Sequence, residues 1–496
     1  MCADYNTTAD MEEQACGALR CLSANHAENQ TRIGEAGGVN LVLAAMRAYQ
    51  RSATVQEQAC GALCCLSTNH AANQTRIGEA GGVDAVLTAM RAHDTSNGGV
   101  QVKACAALRS LAANHAANQT RIGEAGGVNL VLSAMCAHDT NMGVQEQACG
   151  ALCCLSANHA ANQTSIGEAG GVTLVLRAMR AHDTSAGVQE QGCGALESLC
   201  EFHAENQTRV IESGGVALVL AAMRTHKTNA TVQEHACGAL RSLCVNLAAN
   251  QTRIGEAGGV DAVLAAMRTH GTSRGVLEKA CAALCCFAAN HAANKSRIGE
   301  VGGVDVVLWA MRAHDTSSGV QEQACAALCC LSANHAENQT RIGEAGGVDA
   351  VLRGMCAHDT SAGVQEQACG ALCCFSTNHA ANQTRIGEAG GVTLVLSAMR
   401  AHDTSSGVQE KACAALCCFA ANHAANKSRI GEAGGVDVVL SAMRAHKTNA
   451  SVQKQACGAL QRMCVNHAAN KTRIVEVDGI DLVLLAAVRA HERWHA

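Results

Sequence analysis

Apolar and polar positions follow one pattern along this chain, and the pattern returns about every 44 residues. In one unit, Val392, Leu394, Val395, Leu396 and Met399 form an apolar side at i, i+3, i+4, i+7 spacing. This predicts a helix over about 392–402. A polar loop with Asp403, Thr404 and Ser405 follows. Val408, Ala412, Ala415, Leu416 and Phe419 then predict a second apolar-faced helix over 408–419. A short polar helix is expected ahead of both, over 384–388, with Asn382 placed to cap it. Gly390-Gly391 ends it, because glycine takes a positive φ at little cost. In the sixth copy the third helix opens on Thr231–Glu234, a capping-box pattern, where most copies carry glycine, a weaker cap.

The Gly-Gly pair measures the period. Its first glycine is Gly37, Gly81, Gly126, Gly170, Gly214, Gly258, Gly302, Gly346, Gly390 and Gly434, and Asp478-Gly479 holds the place in an eleventh copy. The spacing is 44 except between Gly81 and Gly126, where one residue is inserted near Asn97. No single unit can bury both apolar faces, but stacked units can. The composition agrees. With 48 glycines, no proline and 2% aromatic residues, the chain suits many small cores rather than one large one.

These units resemble the armadillo repeat, through the residues EAGGV, VLxAMRAH and VQEQACGALxxL, from Met11 to about Arg489. The resemblance implies an all-α, right-handed superhelical α-solenoid whose third helices line a concave, protein-binding groove. The two-helix HEAT repeat is the nearest alternative, and the Gly-Gly break after a short extra helix favours armadillo. Residues 1–10 are read as an N-terminal segment, 11–489 as the array and 490–496 as a tail. The first copy lacks its leading helices, which suits either a cap or part of a longer array.

Two departures from the family matter. Groove-binding relatives of the importin-alpha and catenin type carry a Trp on the third helix and an Asn four residues later. Here the Trp position holds Gly or Ala, as at Gly150, Gly370 and Ala326. The Asn position is Cys65, Cys154, Cys286, Cys330, Cys374 or Cys418 in six copies, and Arg462 in the last. The ladder that grips an extended peptide backbone is therefore not expected.

Charge and composition exclude several functions. A net charge of -5 with no basic stripe argues against nucleic acid as partner. No apolar run approaches the length of a membrane span, and the first residues lack the basic and apolar regions of a secretion signal. A reducing, cytoplasmic setting is expected. Thirty cysteines are then reduced thiols that recur at fixed positions. Six copies share Cys-x3-Cys-Cys, such as Cys325, Cys329 and Cys330. The first thiol is expected in the core and the pair near the groove. Two thiols at i, i+4 could hold a soft ion such as Cu(I). Equivalent cysteines one repeat away are expected to lie too far off to complete a site, so no metal and no cofactor is assigned.

The other recurring residues read as structural. His379 and its counterparts, and the second series His93, His138, His182 and His314, are copied too often for catalysis, which needs one asymmetric constellation. The second series ends helices, where a charged imidazole meets the dipole favourably. Asn-Gln-Thr matches a glycosylation sequon but is read as a helix cap. Gly-Glu-Ala-Gly-Gly lacks the lysine of a phosphate loop. No enzyme is expected.

What varies between copies marks candidate recognition. One row precedes the Asn-equivalent position. Its charged members Arg20, Arg109, Glu197 and Arg241 fall in the first half, and the last copy carries Gln461 beside Arg462. A second row lies on the second helix and holds Trp309, a candidate hot spot if exposed. The reading is a scaffold that binds acidic or mixed-charge protein segments, with a thiol-rich soft-metal or redox buffer as the alternative.

Overall fold

The computed structural model describes residues 2–245 and 247–495, and side chains within 8–245 and 247–489. The described residues contain 33 α-helices and no strand. They divide into two compact units, 1–250 and 251–496. Helix Cys2–Ser23 carries residues 2–10 straight into the first third helix. At the other end, the backbone of the expected tail continues helix Gly479–His495, and its side chains lie outside the described residues. No described helix is long and apolar enough to cross a membrane.

The three helices of the unit read above are Ala380–Glu388, Gly391–Ala401 and Ser406–Ala420. Gly390 takes φ +80°, a left-handed conformation that breaks the chain between the first two. Gly391 is needed for a different reason. A Cβ there would lie 2.6 Å from Ile386 Cγ2 and 2.9 Å from the Ile386 carbonyl oxygen. Val392, Val395, Leu396, Met399, Val408, Ala412, Leu416 and Phe419 are all buried, while Leu394 lies at the edge.

The caps differ from the sequence reading. His379, not Asn382, caps Ala380–Glu388: its Nδ1 accepts from the Asn382 backbone N–H at 3.3 Å. Its Nε2 therefore carries the proton and donates to Thr340 Oγ1 of the preceding copy at 3.1 Å. The Thr340 hydroxyl in turn donates to the Ala336 carbonyl at 3.0 Å. The sixth copy has no capping box. Asn229 caps helix Ala230–Cys244 through a side-chain bond from the Val232 N–H, as Ser405 caps Ser406–Ala420. Polar loop residues thus end the search for partners of the first backbone N–H groups.

Asn382 is instead buried and ties copies together. Its side-chain N–H group donates to the Gln339 carbonyl of the preceding copy at 2.9 Å and to the Phe375 carbonyl at 3.0 Å. Gln383 reaches forward to the Cys418 carbonyl at 2.9 Å and the Ala421 carbonyl at 3.2 Å. Gln365 binds the Met355 and His358 carbonyls at 2.8 and 2.9 Å, fixing the loop between second and third helices. His402, in the second histidine series, donates from Nε2 to the Asp359 carbonyl of the preceding copy at 2.6 Å. This series ends the second helices and also makes hydrogen bonds from one copy to the next. Buried amides satisfied this way are costly to lose.

The pattern slackens near residue 250. Leu247 stands where the other copies have the capping histidine, and Ile211 where nine other copies have glycine and the last has Val475. Asn250 keeps its bond to the Leu243 carbonyl at 2.7 Å. Just upstream, Phe202 holds φ +55°, a conformation that asparagine takes at the equivalent position in nine other copies.

Candidate functional site

Third helices make the most extensive contacts between successive copies within each unit. Each is buried except along one stripe. In Ser318–Ser332 the half-buried members are Glu322, Gln323, Ala326, Cys329 and Cys330, at i, i+1, i+4, i+7, i+8. The variable row and the Asn-equivalent position both belong to this stripe. So does a glutamate one turn from the helix start, repeated as Glu278, Glu322, Glu366 and Glu410 in the second unit. Burial, followed by the charges of Glu366 and Glu278, raises the Glu322 carboxyl above its ordinary range. The sequence reading did not single out this acidic row, because each glutamate alone looks like a solvated helix residue.

The variable-row side chains lie over the small residue at the Trp position of the next copy. A Cβ at Gly61 would sit 2.8 Å from Arg20 Cδ, and one at Gly150 2.8 Å from Arg109 Cδ. Glu197 covers Gly238 in the same way. In the cysteine copies the cover is lighter, with Cys329 Sγ 3.8 Å from the Gly370 Cβ position. Small residues at the Trp position therefore admit the neighbouring copy's side chain instead of stacking on a peptide. Periodicity could have found this, since the two positions are 41 residues apart except across the inserted residue, where Cys64 and Ala106 are 42 apart.

The charged candidates are not equally available. Arg20 and Arg109 are half-buried, and Arg109 also bonds to the Cys154 thiol, opposing the rise that burial gives that thiol. Arg241 Nη2 pairs with Glu201 Oε1 at 2.5 Å. Glu197, buried, has Oε2 3.5 Å from His235 Nδ1. Arg109 and Arg241 are three copies apart, so they are members of a row, not one cluster. Gln461 and Arg462 are exposed, and Arg462 bonds to the Cys417 thiol.

Trp309 lies on second helix Gly303–Ala313 and is 43% exposed. The covered part of its ring rests on Gly271 in the preceding loop, with Cζ3 2.8 Å from where a Cβ would be. Other copies carry a larger side chain at this loop position, as at Gln50, Asp315 and Lys447. The Trp and the missing side chain are thus one feature. Gly271→Asp is expected to lift the indole into solvent, with a red shift and stronger quenching of Trp309 emission in a Trp494→Phe background. Unchanged emission would separate the two residues.

The cysteines divide as read. Cys369 is buried, and burial pushes its thiol up to about 12, which keeps it unreactive. Cys373 and Cys374 are half-buried on the stripe. The expectation about neighbouring copies is corrected. Cys285 and Cys330 have their sulfurs 2.9 Å apart, Cys329 and Cys374 3.0 Å, and Cys373 and Cys418 3.2 Å. Small residues let the third helices approach closely enough for thiols one copy apart to meet. Among the described residues, no group of three or more His, Cys, Asp or Glu side chains is arranged to hold a metal ion.

Stacked three-helix copies with a left-handed glycine break and a half-buried third-helix stripe define an armadillo-type α-solenoid. Residues 205–338 and 300–486 match the LRRK2 ARM repeat family, and together these spans cover more than half of the sequence. The chain belongs to that armadillo repeat family. No curated protein matches it. Among solved structures it is similar to an engineered protein from the Northeast Structural Genomics Consortium, target OR497, at 25% identity. That match covers 83% of this chain and 96% of the other, with a TM-score of 0.66. It also shares its fold with a chain from a structure of a phosphorylation switch controlling the interaction between cadherin and beta-catenin. There the identity is 19%, the coverage 95% and 98%, and the TM-score 0.61.

Proposed function

We propose that this protein is a non-enzymatic, cytoplasmic scaffold that holds partner protein segments against the inner faces of its third helices. The observation that carries this reading is the half-buried stripe on the third helices of each unit. Its charged and polar side chains change from copy to copy while the core beneath them stays constant. A repeated catalytic group would need an asymmetric partner set, and each candidate acid, base or nucleophile recurs in structural roles instead. The stripe offers no Trp–Asn ladder, so affinity would come from side-chain complementarity rather than from backbone capture. In the first unit, Arg20 and Arg109 favour acidic groups while the half-buried Glu146 of the same stripe favours a cation. A mixed-charge segment with an acidic stretch suits that face.

The test uses synthetic peptides of about 20 residues in acidic, basic and mixed-charge series, titrated by fluorescence anisotropy against the full chain. Acidic and mixed-charge peptides are expected to bind, and Arg109→Glu to weaken them about tenfold, on the order of 1.4 kcal/mol. Hydrogen-exchange protection would fall on third helices of residues 1–250. Binding indifferent to Arg109→Glu, or protection confined to second helices, would sink the reading.

A further inference from the structure

The cross-copy thiols have a regular connectivity that goes beyond a scaffold role. The vicinal pairs Cys329-Cys330 and Cys373-Cys374 split their duties: the first cysteine meets the following copy and the second meets the preceding one. Cys285 faces Cys330, Cys329 faces Cys374 and Cys373 faces Cys418. The three contacts share no sulfur, so all can react in one molecule. They join four successive third helices, Arg274–Ala288 to Ser406–Ala420, within the second unit. In the first unit the same register is interrupted. Cys64 faces Ser110 Oγ at 3.3 Å, and Cys153 faces Ser198 Oγ at 3.4 Å. There a serine makes the bond impossible and leaves the packing intact.

We propose that these six half-buried thiols are a peroxide-responsive modification site, closing into three inter-repeat disulfides: Cys285–Cys330, Cys329–Cys374 and Cys373–Cys418. A disulfide needs its sulfurs about 2.05 Å apart. The observed contacts close by roughly 1 Å, a movement available to rotation about χ1. Vicinal Cys329 and Cys330 belong to different contacts, which directs oxidation across copies rather than along the chain.

The chemistry balances with hydrogen peroxide as oxidant. The Cys418 thiolate attacks a peroxide oxygen. The S–O bond forms, the O–O bond breaks, and hydroxide leaves to become water on protonation. Cys373 then attacks the sulfenic sulfur. The S–S bond forms, the S–O bond breaks, and hydroxide departs with the Cys373 proton as a second water. Two thiols lose two electrons and one peroxide gains them. The Cys373 thiol donating to Cys418, with the Thr377 hydroxyl and then the Arg462 charge adding to it, holds the Cys418 thiol at about 7 against the opposing effect of burial. That thiolate is available near neutral pH to begin the reaction.

The experiment exposes the reduced full chain to a small excess of hydrogen peroxide, alkylates remaining thiols, and maps disulfides by digestion and mass spectrometry under non-reducing conditions. Segments 280–295 and 412–427 have identical sequences. Each bond is therefore assigned by its loss in Cys330→Ser, Cys374→Ser or Cys418→Ser. These variants copy the serine present in the first unit, so folding should persist, which a circular-dichroism melt checks. Expected are three intramolecular bonds, each removed by one variant, reversed by dithiothreitol, with Cys64 and Cys153 still alkylated. In Cys373→Ser, Cys418 should stall as a sulfenic acid trapped by dimedone. Vicinal Cys329–Cys330 bonds, links between molecules, or irreversible oxidation without cross-copy bonds would each overturn the proposal. So would equal oxidation of Cys64 and Cys153.

Discussion

Asn382→Ala is expected to destabilise the array by about 3 kcal/mol, more than any other single polar substitution in its unit. Two bonds from the buried amide are lost, and the Phe375 carbonyl, in the last turn of its helix, is left inside the protein without a donor. A net hydrogen bond contributes about 1 kcal/mol, and each stranded buried acceptor adds about 1–3 kcal/mol. Asn382 also accepts from Arg385 Nη1 at 3.2 Å, so the guanidinium loses its anchor. Because one of these bonds crosses to the preceding copy, the cost falls on the interface between copies. In a stacked array such interfaces carry much of the stability. Urea unfolding with hydrogen exchange should show lost protection centred on residues 331–390, with distant copies unchanged. A uniform loss of protection, or a cost under about 1 kcal/mol, would place the stability elsewhere.

Phe375→Ala should cost about as much for a different reason. Phe375 is fully buried, among the largest side chains in the core. Truncating a buried phenylalanine costs about 3–5 kcal/mol, because the surroundings collapse only partly into the space. The chain supplies its own control. Leu331, Leu155 and Leu199 fill the same position in other copies and are equally buried. Phe375→Leu should therefore cost only about 1 kcal/mol, since cores tolerate apolar exchanges that roughly keep volume. Chemical denaturation of the three proteins tests the order. If the leucine variant were as damaged as the alanine variant, the aromatic ring would be filling a space particular to this copy.

Several features of the molecule were legible in one dimension. The apolar spacing around Val392–Met399 and Val408–Phe419 gave two of the three helices within a residue or two. The Gly-Gly pair gave the break, because only a residue without a Cβ passes through both Gly390 and Gly391. The short first helix was foreseen but extended too little and given the wrong cap. An Asn before a polar helix usually caps it, and nothing local reveals that Asn382 is needed by a carbonyl 43 residues earlier. The same limit hid the role of the histidines. Each looks like a surface residue until the preceding copy brings Thr340 to its second nitrogen.

The candidate face was half legible. The variable row on the third helix could be read by aligning copies, and so could the exposure of the row containing Trp309. That Arg241 is engaged by Glu201, that Gly271 makes room for the indole, and that Cys373 meets Cys418 depend on which residues neighbouring helices present to each other.

The sequence by itself determined the helices, their number per copy, the stacking that buries their apolar sides, and hence an armadillo-type array. Periodicity and glycine stereochemistry are local or repeat-wide properties, and every copy states them again. Only the tertiary structure decided which side chains are spent inside the array and which remain on the stripe. That depends on the distance between successive third helices. Small residues set it close enough that a side chain is partnered by the next copy before any ligand can reach it.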